Sequence, residues 1–182
     1  MIAKLNKRST EPIISLESAK EHLRILNNNQ DFYIHTLLDV VTTSIENELE
    51  RDLVDTEYSL HIYSKINVNE EIYFPNSPVY NVIQVVFKDS SGTEITEGIS
   101  YVNSDEYIKF TELPEDYNSI VITYKKGFSN AEDIPEPIKH ASKLMLSDLF
   151  NFRGTIVLGK SVFNLDKTIQ RLLQPYRNVK FL

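Results

Sequence analysis

The sequence predicts an α+β fold, with an N-terminal helical hairpin and C-terminal helices around a central small antiparallel β block. Three observations carry this. Apolar residues recur at helical spacing from 15 to 50 and again from 136 to 173. Short alternating or β-branched runs, separated by turn residues, fill the stretch from about 57 to 125. The chain has 182 residues, 41% hydrophobic and 25% charged, which is ordinary globular composition of a length that suits one domain.

The elements follow in order. Residues 1–13 read as a basic N-terminal arm. Ser15 is a good N-cap, and Leu16, Ala19, Leu23 and Leu26 follow at helical spacing, giving a helix over 15–26. Asn27, Asn28, Asn29 and Gln30 break the pattern, because asparagine favours turns over helix interiors. Asp31 is placed to cap a second helix over 31–50, with Ile34, Leu37, Leu38, Val41, Ile45 and Leu49 on one face. Two helices joined by a short polar loop read as an antiparallel hairpin.

In the β block, Tyr58, Leu60 and Ile62 share one face of the first run. Ile72-Tyr73-Phe74 runs into Pro75-Asn76-Ser77-Pro78, a turn that ends pairing. Val79–Phe87 is rich in β-branched residues, and Lys88–Thr93 has hairpin-loop composition. Short strands follow near 99–102 and 106–110, and Ile120, Ile122 and Tyr124 alternate in the last run. Pro135 and Pro137 then open a helix over 136–152, with Ile138, Ala141, Met145, Leu149 and Phe152 as its apolar stripe. Residues 153–163 read as an irregular loop. A short helix over 165–173, with Leu165, Ile169, Leu172 and Leu173, stops before Pro175. Residues 14–174 thus form the main domain and 175–182 a tail.

Charge is unevenly placed on a chain of net charge −7. Residues 1–10 hold Lys4, Lys7 and Arg8 and no acid; 167–182 hold Lys167, Arg171, Arg177 and Lys180 and no acid. The middle, 11–166, has 12 basic and 26 acidic residues, a net of −14. An acidic body argues against a freely diffusing duplex-DNA binder, while basic tips suit partners of opposite sign. The chain has no cysteine, which excludes disulfides, thiolate catalysis and cysteine-ligated metals. No apolar run is long enough to span a membrane and no signal peptide is evident, so a cytosolic origin is expected.

Motifs for chemistry are few. Gly154-Thr155-Ile156-Val157-Leu158-Gly159-Lys160-Ser161 fits the phosphate-binding pattern G-x-x-x-x-G-K-S. That loop needs a strand before it, whereas a helix is predicted there, and β-branched Ile156 and Val157 resist its backbone angles. The match reads as coincidence. Asp31, His35 and Asp39 stand at i, i+4 and i+8 and line one helix face, but the sequence offers no further ligand, so a solvated polar face is the simpler reading. His22, His61 and His140 have no triad-like neighbours in sequence. The acidic run Glu46, Glu48, Glu50, Asp52, Asp55 and Glu57, interrupted by Arg51, reads as an exposed helix end and loop. No catalytic, metal or cofactor residue is expected; the residues argue for an interaction protein rather than an enzyme.

Four stretches carry a resemblance. They are Ile14-Ser15-Leu16-Glu17-Ser18-Ala19-Lys20-Glu21-His22-Leu23-Arg24; Ile45-Glu46-Asn47-Glu48-Leu49-Glu50-Arg51-Asp52-Leu53; Tyr73-Phe74-Pro75-Asn76-Ser77-Pro78-Val79 with Val85, Val86 and Phe87; and Ile122-Thr123-Tyr124-Lys125-Lys126-Gly127-Phe128 with Ile134-Pro135-Glu136-Pro137-Ile138-Lys139-His140-Ala141. In this order, and with the closing Leu172-Leu173-Gln174-Pro175-Tyr176-Arg177, the chain resembles the tailed-bacteriophage head–tail connector family, the head completion adaptors. It departs from many relatives in having no tryptophan.

The resemblance implies a structural virion protein, made in the host cytoplasm and placed in the head–tail joining region. It implies a ring, usually twelve-fold, that joins the portal protein of the DNA-filled head to a downstream neck or tail protein. Genomic DNA would pass through the ring without specific binding. Another neck ring or a tail-terminator protein is the alternative, and a nucleotide- or metal-dependent enzyme using Lys160 or His35 the least favoured. On this reading Arg171, Tyr176, Arg177, Lys180, Phe181 and Leu182 contact the portal, since tyrosine and arginine are favoured anchors. Glu46, Glu48, Glu50 and Asp52 face the channel, where negative walls repel phosphate.

Overall fold

Ser15 fixes the start of α1, Leu16–Leu23: its hydroxyl accepts the Ser18 amide N–H, one of the free donors of a helix start. In the computed structural model, which describes residues 1–75, 78–152 and 165–178 (165 and 166 in backbone only), the chain packs as two units. One takes its residues from Met1–Ser9 and Asp55–Phe128, the other from Thr10–Val54 and Ser129–Leu182. The expected connector domain over 14–174 contributes residues to both units. The expected basic arm contains β1, Ile2–Arg8, which pairs antiparallel with β2, Thr56–Ile62, before the chain enters its helices.

The helical unit is built from α1, α2 (Asp31–Leu49), α3 (Glu136–Asn151) and α4 (Leu165–Leu173). α1 stops earlier than the sequence implies. Arg24 adopts the left-handed conformation, and the amides of Arg24 and Ile25 close the helix onto Glu21 and Lys20 carbonyls. Leu26, expected on the apolar stripe, lies beyond this closure and is fully exposed. α2 buries the face its periodicity predicts: Ile34, Leu37, Leu38, Val41, Ile45 and Leu49. Asp31 is its first residue rather than its cap, and its carboxylate meets Lys20 Nζ at 2.8 Å. An acid there also suits the positive helix end.

α3 turns differently from the expected stripe. It buries Ile138, Ala141, Ser142 and Leu146; Met145 and Leu149 are half-buried, and Phe152 is exposed. Ser142 is tolerated inside because its hydroxyl donates to the Ile138 carbonyl at 2.8 Å. On α4, Ile169 and Leu173 are buried, as their spacing requires.

The β unit has a five-stranded sheet, β1-β2-β8-β4-β5, and a three-stranded sheet, β3-β7-β6, with every pair antiparallel. The remaining strands are β3 (Glu71–Tyr73), β4 (Val79–Lys88), β5 (Glu94–Ile95), β6 (Ser100–Asn103), β7 (Tyr107–Glu112) and β8 (Ser119–Lys126). β8 is central and buries Ile120, Ile122 and Tyr124 in strict alternation. β4 carries two register shifts against β8, which explains why its apolar run does not alternate. The Lys88–Thr93 loop is a hairpin, closed by the Asp89 carboxylate, which accepts from the Ser91 and Thr93 amides; Gly92 takes the positive φ of 87° that the turn requires.

Both sheets contribute to one core. Phe87, fully buried, packs edge-on against Phe110 and Tyr117 at 5.3 and 5.0 Å, and Phe74 meets Tyr124 at 4.8 Å. Tyr117 is satisfied at its polar end, where its hydroxyl accepts the Ile66 amide at 2.9 Å.

Candidate functional site

With Ile169 and Leu173 turned inward, α4 presents Lys167, Gln170, Arg171 and Gln174 away from the core. Together with Glu48 and Leu49 at the end of α2, and with Arg177, they line a cleft of about 400 Å³. The segment after α4 reaches this helix end directly. The Asn178 amide donates to the Leu49 carbonyl at 2.9 Å, using one of the carbonyls a helix terminus leaves free. Arg177 Nη2 lies 3.2 Å from Glu50 Oε1. Lys167, Arg171 and Arg177 therefore surround a cleft whose acids are Glu48 and the adjoining Glu50, a locally positive spot on an acidic chain.

Of the six residues expected to meet a portal, Arg171 and Arg177 are exposed and Tyr176 is half-buried. Arg177 engages its own chain, but the pair is about half exposed on both sides and is held weakly. Lys180, Phe181 and Leu182 lie outside the described residues, as does the segment 153–164 with the Gly154–Ser161 pattern.

The expected acidic wall needs one correction. Glu46 is buried, and its carboxylate accepts the amides of Leu53 at 2.8 Å and Val54 at 3.3 Å. It folds the exit from α2 and cannot face a channel. Glu48 and Glu50 are exposed and Asp52 is half-exposed. Helix geometry splits the acidic run: Glu46 lies one residue beyond Ile45 on the buried face, while Glu48 points away.

His35 and Asp39 are exposed on α2, and Asp31 is engaged by Lys20. Among the described residues no group of three or more histidine, aspartate or glutamate side chains is positioned to hold a metal ion, and no helix is long and apolar enough to cross a membrane. His22 does acquire neighbours that its sequence context does not show. Burial, then the positive charges of Lys143 and His140, lower its pKa from the ordinary 6.5.

A second polar cluster, in the β unit, escapes sequence reading because its members are far apart in the chain. Asp55 accepts from the Tyr80 hydroxyl at 2.5 Å and pairs with Lys125 Nζ at 2.8 Å. Burial pulls the Asp55 pKa upward, but the hydrogen bonds from Lys125 and Tyr80 outweigh it and hold the carboxyl below its ordinary 3.8. Burial and the bond to Asp55 raise the Tyr80 pKa. The cluster ties the residue that enters β2 to β4 and β8.

Residues 13–125, well over half the chain, match the family described as phage gp6-like head–tail connector protein. No curated protein sequence matches. Among solved structures, a chain in the neck of an empty gene transfer agent particle, computed with C6 symmetry, has a TM-score of 0.73 at 17% identity, with 100% of this chain and 98% of that one covered. A chain in the virion of the native gene transfer agent particle has a TM-score of 0.71, also at 17% identity and the same coverage. A third, from the neck of the native particle computed with C12 symmetry, has 0.67 at 18% identity, covering 98% and 97%. At such identities these structures establish the shared fold.

Proposed function

This chain belongs to the phage gp6-like head–tail connector family, and on that premise we propose that it forms a ring beneath the portal of a DNA-filled head, extends the DNA channel and offers its far side to the next neck or tail protein. The family is one of structural virion components, not enzymes. The match over residues 13–125 carries the proposal, because it spans α1, α2 and most of the β unit. The similar neck chains come from particles computed with C6 and C12 symmetry, which supports a ring of about twelve copies here.

A closed ring needs two different patches on each subunit, joined head to tail. An obligate contact of this kind buries on the order of 2,000 Å² or more. At the end of α2 the acids Glu48 and Glu50 stand beside the bases of the α4 cleft, and this reading gives the two signs different roles. Glu48, Glu50 and Asp52 stand in the accessible acidic stretch at and just beyond the end of α2, fit to line a channel that must pass DNA without gripping it. Arg171, Tyr176 and Arg177, continued by Lys180, Phe181 and Leu182, form the portal contact. Exchanging the weak Arg177–Glu50 pair for a partner's carboxylate costs little.

Two measurements test this reading. Electron micrographs of the purified oligomer, viewed down its axis, are expected to show closed rings with a central hole; a chain that stays monomeric with and without portal overturns the proposal. Deletion of residues 175–182 is expected to weaken portal binding, and unchanged binding would remove the tail from the contact.

A further inference from the structure

The β unit has two open sheet edges of opposite electrostatic character. β1 is the outer strand of the five-stranded sheet, and all seven of its residues are exposed. β6 is the outer strand of the three-stranded sheet, and all four of its residues are exposed. The other two edges are shorter: β5 has two residues and β3 has three. Short edges are poor templates for a further strand, whereas a longer one offers a row of unused N–H and C=O groups. Among the described residues no strand lies on the outer side of β1 or of β6.

Charge distinguishes these edges. The segment carrying β1, residues 1–10, has Lys4, Lys7 and Arg8 and no acid. The segment carrying β6, residues 94–106, has Glu94, Glu97, Asp105 and Glu106 and no base. Both edges also show apolar side chains to solvent. Ile2 and Leu5 are 62% and 50% exposed on β1, and Tyr101 and Val102 are 38% and 52% exposed on β6. Lysines on an edge strand block pairing with an identical copy of that strand, because like charges would face one another. They do not block an acidic edge.

We propose that the β1 edge of one copy pairs with the β6 edge of the next, so that the five-stranded sheet of one subunit continues into the three-stranded sheet of its neighbour. The contact is heterologous, since it joins two different patches, and so generates a ring or a filament rather than a two-fold dimer. Main-chain hydrogen bonds supply the pairing, and Lys4 and Lys7 against Glu97 and Glu106 set its polarity. The inference rests on the ring reading above and names the surfaces that close the ring.

Charge swapping tests it. One full-length variant carries Lys4→Glu and Lys7→Glu, the other Glu97→Lys and Glu106→Lys. Native mass spectrometry and sedimentation are expected to show each variant alone assembling on the order of tenfold or more weakly than the unaltered chain. An equimolar mixture is expected to recover assembly, because every mismatched edge then meets its complement. If both variants assemble like the unaltered chain, or fail together as a mixture while keeping its melting temperature, the edge pairing is overturned and the ring reading stands. Intact assembly with lost portal or DNA binding would give the β1 edge to another occupant and overturns the pairing too. An unaltered chain that never assembles overturns the ring reading itself.

A third variant guards against misfolding of the first two. The chain has no cysteine, so Leu5→Cys together with Val102→Cys places one thiol on each edge. Mild oxidation of the assembled protein is expected to give covalent chains of subunits; monomers alone would overturn the pairing.

Discussion

The two units bury different side chains. In the β unit the core is aromatic at its centre, with Phe74, Phe87, Phe110, Tyr117 and Tyr124 buried among isoleucine, leucine and valine. In the helical unit the buried apolar residues, among those described, are aliphatic: Ile34, Leu38 and Ile45 from α2, Ile138 and Leu146 from α3, Ile169 and Leu173 from α4. Among its described rings Phe32 is 87% and Phe152 45% exposed, and the half-buried Tyr33 meets the half-buried Phe150 at 5.9 Å. Sheets face one another about 10 Å apart, which leaves room for interleaved rings, whereas helices approach to about 8–10 Å through branched aliphatic ridges. The helical core is therefore aliphatic and the β core aromatic at its centre, while Tyr63, Tyr73, Tyr80 and Tyr101 of the β unit stay exposed.

The largest expected effect breaks that contrast at its aromatic centre. Phe87→Ala removes a fully buried ring that two other rings contact edge-on, and is expected to cost about 3–5 kcal/mol. Near-ultraviolet circular dichroism, which follows the buried aromatics, should report a lowered denaturation midpoint. Leu38→Ala in the aliphatic core is expected to cost about 2–5 kcal/mol and to leave the near-ultraviolet signal of the native state intact. Equal loss of that signal in both variants would refute the division of labour between the two cores.

A smaller effect is expected at the exit from α2. Glu46→Ala would strand the buried Leu53 and Val54 amides, at a cost of about 1–3 kcal/mol, whereas Glu48→Ala on the exposed side should change stability by no more than about 0.5 kcal/mol. Urea denaturation of the two variants checks this directly. Equal midpoints would mean that Glu46 does not hold the exit.

How far the sequence could be read follows from the range of each interaction. The face of α2, the Ser15 cap, the alternation of β8 and the Lys88–Thr93 hairpin are encoded within one or two turns or strands, and each is legible. The early end of α1 depends on left-handed Arg24, a conformation for which a glycine would have been the signal. The rotation of α3 depends on what it packs against, which its own stripe does not contain. β1 was hidden because Ile2–Arg8 is stabilised by β2, more than 40 residues later, and its mixed basic and apolar pattern is weak by itself. The Asp55–Tyr80–Lys125 tie spans 70 residues, and no local pattern marks it. Glu46 shows the same limit at short range, since a charged residue in an acidic run gives no sign that two amides await it.

The units are also expected to respond to acid at different pH. His22, in the helical unit, has a folded pKa below 6.5, so the unfolded chain binds the proton more tightly. Its contribution is complete above 6.5 and is lost as pH falls through the folded value. Asp55, in the β unit, has a folded pKa below 3.8; its contribution is complete above 3.8 and disappears only as pH falls further. Amide hydrogen exchange, compared between pH 7.5 and about pH 5, should therefore show faster opening around α1 and α3 and little change across β2, β4 and β8. His22→Asn should abolish the first change, and Asp55→Asn should soften the acid limb of the second. Parallel loss of protection in both units near pH 5 would refute the assignment.

The smallest expected effect on stability separates folding from docking in the helical unit. Arg177 is 51% exposed and Glu50 44% exposed, so their ion pair is screened by water and its loss leaves no buried charge. Arg177→Ala is expected to shift stability by no more than about 0.5 kcal/mol, within the error of most denaturation curves. A residue that contributes so little to its own fold has freedom to be spent on a partner, and tyrosine and arginine near an interface centre dominate binding far more than their share of contact. The same variant is thus expected to weaken portal binding measurably, with dissociation faster and folding unchanged. If the substitution instead lowers the denaturation midpoint and leaves portal binding alone, Arg177 serves to fasten the chain end to α2, and the cations of the cleft belong to the fold rather than to the assembly.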